Sequence, residues 1–357
     1  MAKRTIVGMS GGVDSAVAAF LLKQAGYEVI GVTLRTWESD VGTESRCCEI
    51  DDARETARQL GIEYHAFNCL SDFKRLVVEP FTDAYINGRT PNPCVNCNRF
   101  VKWERLLYYA NILRADYVAT GHYASVAKLD NGRYTLQKAA YAQKDQTYML
   151  WRLTQEQLSR TLMPLGSMSK QEVRSIAEKE GIPVADKPDS QEICFVPDGS
   201  YADFVRSAAG TDTPQAGNFI DKEGNILGRH KGIIHYTVGQ RKGLGVALGQ
   251  PAYVNEIRVK SSEVVLGDEL SLYHNAIVCG ELNFMGIPDL PVGCSVRANV
   301  RIRYHDAGTW GEITRISGES VRIAFDEPVR APAPGQSAVF YDESDCLAGG
   351  GEIRHAE

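Results

Sequence analysis

The stretch Thr5-Ile6-Val7-Gly8-Met9-Ser10-Gly11-Gly12-Val13-Asp14-Ser15 decides the fold. Its first half is apolar and β-prone, and it runs into a helix-like segment from Ala16 to Gln24. Strand, glycine loop and helix, in that order, make a phosphate cradle. Paired glycines accept backbone angles that other residues resist. Successive backbone N–H groups can converge on one anion, and the positive end of the helix dipole points at the same spot. Gly8, Met9, Ser10, Gly11, Gly12, Val13, Asp14 and Ser15 are therefore candidate nucleotide-binding residues. Ser10 and Ser15 would add hydroxyl donors, and Asp14 would orient the loop or hold a Mg²⁺ shared with the phosphates. No Gly-Lys-Ser/Thr occurs in the chain, so this is not a Walker A loop, and the G-x-G-x-x-G dinucleotide pattern does not fit either.

The run Ser-Gly-Gly-x-Asp-Ser resembles the pyrophosphate loop of enzymes that split ATP into AMP and pyrophosphate. Outward from it, the first ~200 residues alternate strand and helix. Strands are expected at 29–34, 64–68 and 117–120, and helices at 51–60, 72–87, 102–113, 154–162 and 169–181. Ser169 and Glu172 have capping-box spacing. The alternation predicts an α/β fold, a doubly wound parallel sheet whose ligands sit at the carboxyl ends of its strands. Gly8 to Ser15 lies at one such end and Gly121-His122-Tyr123 at another. Helical texture is expected to stop near residue 200. Beyond Thr211 the chain is rich in Gly, Val and Ile, with short alternating segments such as Gly232–Val238, Ala252–Val259, Ser295–Arg303 and Ser320–Phe325. The expected domains are 1–200, 201–270 and 271–357: a nucleotide domain, then two small β-rich modules.

Length and composition set outer bounds. The chain has 357 residues, 43% apolar and 24% charged, and predicts a globular protein of two or three domains. No signal peptide and no apolar run of the ~18 residues a membrane helix needs is found, so a cytoplasmic protein without a membrane partner is expected. A net charge of −6 argues against a generally basic nucleic-acid coat and against DNA as a partner. The charge is uneven, however. Lys222 to Lys260 carries seven Lys and Arg against two acids, a local charge of +5, and Arg297, Arg301 and Arg303 form a second basic group. Such patches on an acidic protein can hold a phosphate backbone.

Nine cysteines in a chain this long do not make a disulfide scaffold; clustered ones in a reducing compartment point to catalysis or metal. Cys94 and Cys97 form a C-x-x-C pair on Thr90–Asn98, read as a rigid, turn-rich loop because Pro91 and Pro93 fix the backbone. Three readings stand. Zinc lacks a second ligand pair. An iron–sulfur cluster would take Cys194 as a third thiolate. Alternatively, a reactive thiol meets Cys194 in space. Acidic and apolar neighbours around Cys194 call for help from Lys187 or substrate if it is to act as a thiolate. The vicinal Cys47-Cys48 pair is undecided between sulfur handling and no role. ATP cleavage beside two reactive cysteines suggests sulfuration of a carbonyl: an oxygen is adenylated, a persulfide sulfur attacks its carbon, and AMP leaves.

Ser10–Ser15, Thr90–Asn98, Gly121–Ala124, Lys144–Tyr148, Ser190–Val196, Tyr236–Gly243 and Arg301–Tyr304 occur in an order and spacing that resembles the tRNA-specific 2-thiouridylases of bacteria. The resemblance covers essentially the whole chain. It implies a PP-loop domain of the adenine nucleotide alpha hydrolase-like type, a small central domain and a C-terminal β-barrel. It implies 2-thiolation of the wobble uridine, position 34, in tRNAs for Lys, Glu and Gln, with ATP and Mg²⁺. The implied partners are the tRNA anticodon stem-loop and a sulfur donor, either a cysteine desulfurase or a sulfur relay protein. Carried onto this chain, Cys97 matches the nucleophile and Cys194 the cysteine that receives the persulfide, and the two can close a disulfide as sulfur is released. Gly8–Ser15, Leu34 and Gly121 match nucleotide contacts. Asn92, Pro93, Cys94, His122, Lys144, Asp145, Gln146, Arg303, Tyr304 and Gln336 match tRNA contacts. Two departures stand out. Cys94 occupies a position where many members carry Asp, which makes a [4Fe-4S] cluster on Cys94, Cys97 and Cys194 a rival scheme. Leu34 replaces a Met at the end of the second strand. Outside the family, an amidating ligase of the argininosuccinate or NAD synthetase kind would explain the loop but leave the cysteines idle.

Overall fold

The computed structural model describes residues 2–38, 49–185, 187, 193–196 and 200–357. Cys47, Cys48 and the Asp189-Ser190-Gln191-Glu192 part of the Cys194 segment lie outside the described residues.

The N-terminal sheet contains β1 (Arg4–Gly8), β2 (Glu28–Arg35), β3 (Glu63–Asn68) and β4 (Tyr117–Ala119). A hairpin of β5 (Ser125–Lys128) and β6 (Tyr134–Gln137) follows, and β7 (Thr161–Leu162) completes the sheet at its edge. The order is β3-β2-β1-β4-β7, parallel throughout. Thr5, Ile6 and Val7 are fully buried because both faces of β1 are covered. Ile6 packs with Phe73, Trp103 and Leu106 on one face. Val7 packs with Ala19, Leu22, Ala53 and Ala57 on the other. The helices of this domain that precede β4 are α1 (Val13–Gln24), α2 (Ile50–Leu60), α3 (Leu70–Phe73), α4 (Glu79–Ile86), α5 (Pro93–Asn96) and α6 (Glu104–Ile112), with Trp103 just before α6. The chain winds one way from β1 to β2 and the other way to β4. The crevice between the ends of β1 and β4 is thus the topological switch point, where ligands bind in such sheets.

Several local expectations need correction. Residues 90–98 are not all loop. Asn92 caps a helix by accepting from the Cys94 N–H, and Pro93 takes the first helical position, where a missing N–H costs nothing. Through a π-helical turn, Cys97–Trp103, this helix continues into α6. A second π-helical stretch, Lys74–Val78, joins α3 to α4, and the wider turn accommodates Pro80. The helix expected over 154–162 is α7 (Gln155–Ser159), and its last residues become the edge strand β7 because β4 offers an open edge. Helix α8 (Lys170–Lys179) carries the expected capping box, with both hydrogen bonds present. Helical structure does not stop at 200: α9 (Tyr201–Ala209) buries Ala202 and Val205 against the N-terminal core.

The central module is a four-stranded sheet, β8 (Gly217–Ile220), β9 (Ile226–His230), β10 (Tyr253–Arg258) and β11 (Glu263–Gly267), in the order β10-β11-β8-β9. Gly232–Val238, one of the short alternating segments, forms a 3₁₀ turn at Ile233–His235 that buries Ile233 and Ile234. The C-terminal module closes into a barrel of β12 (Tyr273–Phe284), β13 (Ser295–Arg301), β14 (Thr309–Ser317), β15 (Ser320–Arg330), β16 (Ser337–Tyr341) and β17 (Leu347–Ala356). Its order is β12-β15-β14-β13-β16-β17.

The barrel is seated on the N-terminal domain. Trp151 Nε1 donates to Ser337 Oγ at 2.9 Å and Tyr148 Oη to the Ser337 carbonyl at 2.8 Å. A Cβ at Gly350 would lie 2.7 Å from the Trp151 ring, so glycine lets that indole lie against β17.

Candidate active site

The loop after β1 is held from inside. The Ser10 N–H donates to Ser15 Oγ at 3.2 Å, and Ser15 Oγ donates to the Gly12 carbonyl at 3.0 Å. Gly11 has φ +80, a left-handed angle suited to glycine. Gly12 occupies the cap position of α1 without a side-chain capping bond, which leaves the helix entrance to backbone groups. From the end of β4, Gly121 comes so close that a Cβ there would lie 2.6 Å from Asp14 C and Ser15 N. The two strand ends flanking the switch point therefore touch.

Asp14 is more engaged than the sequence suggests. Tyr123 Oη donates to its Oδ1 at 2.7 Å, and Lys170 Nζ reaches both carboxylate oxygens at 2.8 and 2.9 Å. Lys170 is the first residue of α8, and its partner lies 156 positions away, so no local signal pointed to it. Glu49 also escaped the sequence reading. Its N–H donates to the Ser10 carbonyl at 3.2 Å, and a Cβ on Gly11 would meet it at 2.7 Å. Lys187 bridges Glu49 and Asp52. Leu34 is 9% exposed and belongs to the core under the switch point.

The cysteine half is built differently. Cys97 is 8% exposed and begins the π-helical turn; Cys94, one turn earlier, is exposed. Their helix is tied to a distant segment: Asn98 Nδ2 donates to the Met149 carbonyl at 3.0 Å, and Arg152 donates to Asn96 Oδ1 at 2.7 Å. Cys194 is half-buried against the same hydrophobic cluster that contains Cys97. Its neighbour Phe195 anchors it there, edge-on to Phe73, Phe81 and Phe204 with ring centroids 5.2–5.5 Å apart. Among the described residues no grouping of three or more His, Cys, Asp or Glu is placed to hold a metal ion.

The residues matched to tRNA contacts divide into two kinds. His122 sits beside the nucleotide loop, its Nδ1 2.8 Å from Thr120 Oγ1 and its ring 5.4 Å from Trp103. Burial pushes its imidazole down to about 3, with Lys102 adding to the effect, so it is neutral at physiological pH. Lys144 is half-buried at the end of a 3₁₀ turn. Gln146 Oε1 accepts from the Tyr123 N–H at 2.9 Å, which braces the residue that holds Asp14. Tyr304 reaches from the barrel to within 6.2 Å of the Tyr148 ring and within electrostatic reach of Cys94.

Three others are spent inside the protein. Asp145 is buried, bonded to Thr147 Oγ1 and paired at 2.9 Å with Arg301 of the barrel. Arg303 donates to the Ala331 carbonyl at 2.7 Å, and burial lowers its pKa from the usual arginine value. Gln336 Nε2 donates to the Thr90 carbonyl at 2.8 Å, and the Thr90 N–H donates to the Pro334 carbonyl at 2.7 Å. The barrel thus grips the start of the cysteine helix. Of the second basic group, Arg297 pairs with Asp326 and Arg301 with Asp145. In the +5 segment, by contrast, Lys222, Arg229, Lys231, Arg241, Lys242 and Lys260 are exposed.

Fold and site together define an α/β protein of the HUP class with an anion-cradling loop and two β modules. Residues 3–198 match the family model described as tRNA methyl transferase HUP domain. Residues 203–268 match the tRNA methyl transferase PRC-barrel domain, and 274–353 the aminomethyltransferase beta-barrel domain. The chain is 51% identical over 358 residues to the tRNA-specific 2-thiouridylase MnmA of Lachnoclostridium phytofermentans, covering 98% of this chain and 99% of the relative. It is 49% identical to that of Acetivibrio thermocellus, covering 99% of each, and 45% identical to that of Clostridioides difficile, covering 99% and 98%. The chain belongs to the tRNA-specific 2-thiouridylase family.

Proposed function

We propose that the protein is an ATP-dependent tRNA-uridine 2-sulfurtransferase acting on the wobble uridine of tRNAs for Lys, Glu and Gln in the cytoplasm. One observation carries the reading. A loop shaped for phosphates at the switch point shares one domain with Cys97 and Cys194, which pack on a single cluster under the same sheet.

The uridine O2 attacks the α-phosphorus of ATP and pyrophosphate leaves. Residues 8–15 and the entrance of α1 hold the pyrophosphate, and Gly121 and Leu34 border the nucleotide. Asp14, whose carboxylate oxygens are taken by Lys170 and Tyr123, orients the loop, and Mg²⁺ arriving with ATP would supply charge neutralisation for the departing pyrophosphate. A persulfide on Cys194, loaded by a cysteine desulfurase or relay protein, provides the sulfur. The Cys97 thiolate attacks the inner sulfur of that persulfide and releases hydrosulfide, which displaces AMP from C2. The sulfur step runs through thiols alone, which Cys97 and Cys194 on one hydrophobic cluster support.

The flipped base enters beside Asn92, Pro93, Cys94 and Tyr304, with His122, Lys144 and Gln146 alongside. The exposed lysines and arginines of the central module carry the stem phosphates. Asp145, Arg303 and Gln336 serve the site by fixing the barrel. The test is mass spectrometry of tRNA nucleosides after incubation with ATP and a persulfide-loaded donor. Wild-type protein is expected to give 2-thiouridine and Cys97→Ala none; an unaffected Cys97→Ala variant refutes the nucleophile assignment.

A further inference from the structure

We propose that Cys94 is a resolving thiol that resets the enzyme after each sulfur transfer; the inference rests on the sulfur-transfer reading above. That chemistry leaves Cys97 and Cys194 joined as a disulfide, two thiols having given two electrons to the transferred sulfur. The enzyme cannot accept a second persulfide on Cys194 until this bond is broken. Cys97 is 8% exposed within a large hydrophobic cluster, so an outside reductant has poor access to it.

Cys94 has the access that Cys97 lacks. It is exposed, and it lies on the same helical turn, since the Cys97 N–H bonds to the carbonyls of both Pro93 and Cys94. Residues three apart on a helix face the same way, with Cβ atoms about 5–6 Å apart. A disulfide needs about 3.8 Å, a difference that small backbone and rotamer adjustments in the first turn can supply. Cys94 also stands in the first turn of a helix that runs without interruption to Ile112, where the dipole stabilises a thiolate. An exposed cysteine at a helix start, followed three residues later by a buried one, is the arrangement of dithiol redox motifs.

The step balances. The Cys94 thiolate attacks Sγ of Cys97, the Cys97–Cys194 bond breaks, and Cys194 departs as a thiolate ready for the next persulfide. The electron pair that leaves with Cys194 is replaced on Cys97 by the new Cys94–Cys97 bond. A dithiol reductant of the thioredoxin class then attacks the exposed Cys94 sulfur, becomes oxidised and returns both thiols.

Full-length wild type and Cys94→Ser are compared with tRNA, ATP and a thioredoxin-class dithiol, using either a persulfide-loaded protein donor or sodium sulfide. Sulfide brings sulfur already reduced, so no disulfide forms and Cys94 is not needed. With persulfide, Cys94→Ser is expected to stop after roughly one 2-thiouridine per enzyme, with Cys97–Cys194 recovered by non-reducing peptide mass spectrometry. Wild type continues, and without the reductant it accumulates Cys94–Cys97. With sulfide both proteins turn over repeatedly, and any change of rate in Cys94→Ser reports its place beside the base, not the reset. The proposal is overturned if Cys94→Ser sustains many turnovers with persulfide, or if it also stops after about one turnover with sulfide. Wild type inert with both donors would overturn the sulfur-transfer reading and this inference with it.

Discussion

Around Ser10–Ser15 the contacts are local to the N-terminal domain: Ser10 to Ser15, Ser15 to Gly12, Gly121 against Asp14, and Tyr123 and Lys170 on the Asp14 carboxylate. Around Cys94 and Cys97 they come from afar. Met149 and Arg152 hold the helix body, and Pro334 and Gln336 of the barrel side hold its entry at Thr90. The nucleotide half is thus preformed by the sheet, while the sulfur half is completed by a module more than two hundred residues downstream. Damage to barrel docking should therefore disable sulfur chemistry before ATP binding, and damage at the switch point should do the reverse.

The sharpest way to break this contrast is the Asp145–Arg301 pair, which joins the two modules through a buried carboxylate. Removing one partner of a buried pair leaves an uncompensated charge and costs about 3–5 kcal/mol. Asp145→Ala is expected to lower stability by that amount in chemical denaturation. It should also lose 2-thiouridine formation at temperatures where nucleotide binding persists. Equal loss of both activities would mean that the halves are not separable.

A smaller effect is expected from the opposite side. In Gly121→Ala the new methyl would lie 2.6 Å from backbone atoms of Asp14 and Ser15, which have no flexible end to move aside. Overpacking of this kind costs about 1–3 kcal/mol. Because 1.4 kcal/mol is about tenfold in affinity, ATP binding measured by calorimetry should weaken roughly tenfold or more. Persulfide loading of Cys194, followed by mass spectrometry, should be unchanged.

What the sequence made legible follows the same division. The loop, the strand–helix alternation and the Ser169–Glu172 capping box are written in neighbouring residues, and each appears as expected. The helix start at Asn92-Pro93 was equally local, since a cap residue followed by proline is a start signal. It was obscured because two prolines in four residues also read as a turn. Lys170 on Asp14, Glu49 over Gly11 and Arg301 on Asp145 are long-range pairs, and neither composition nor periodicity encodes them. The same holds for Asp145 and Gln336. Their motif positions pointed to the site, but burial and partners decide whether such a residue faces a ligand or braces the scaffold.

Separate halves for activating the uridine and for delivering sulfur should be separable by mutation. The most direct measurement is tRNA-dependent pyrophosphate release from ATP by the double variant Cys97→Ala/Cys194→Ala. A first round of pyrophosphate release is expected to survive, with AMP carried on the tRNA and no 2-thiouridine formed. Loss of pyrophosphate release in a folded double variant that still binds ATP and tRNA would contradict it.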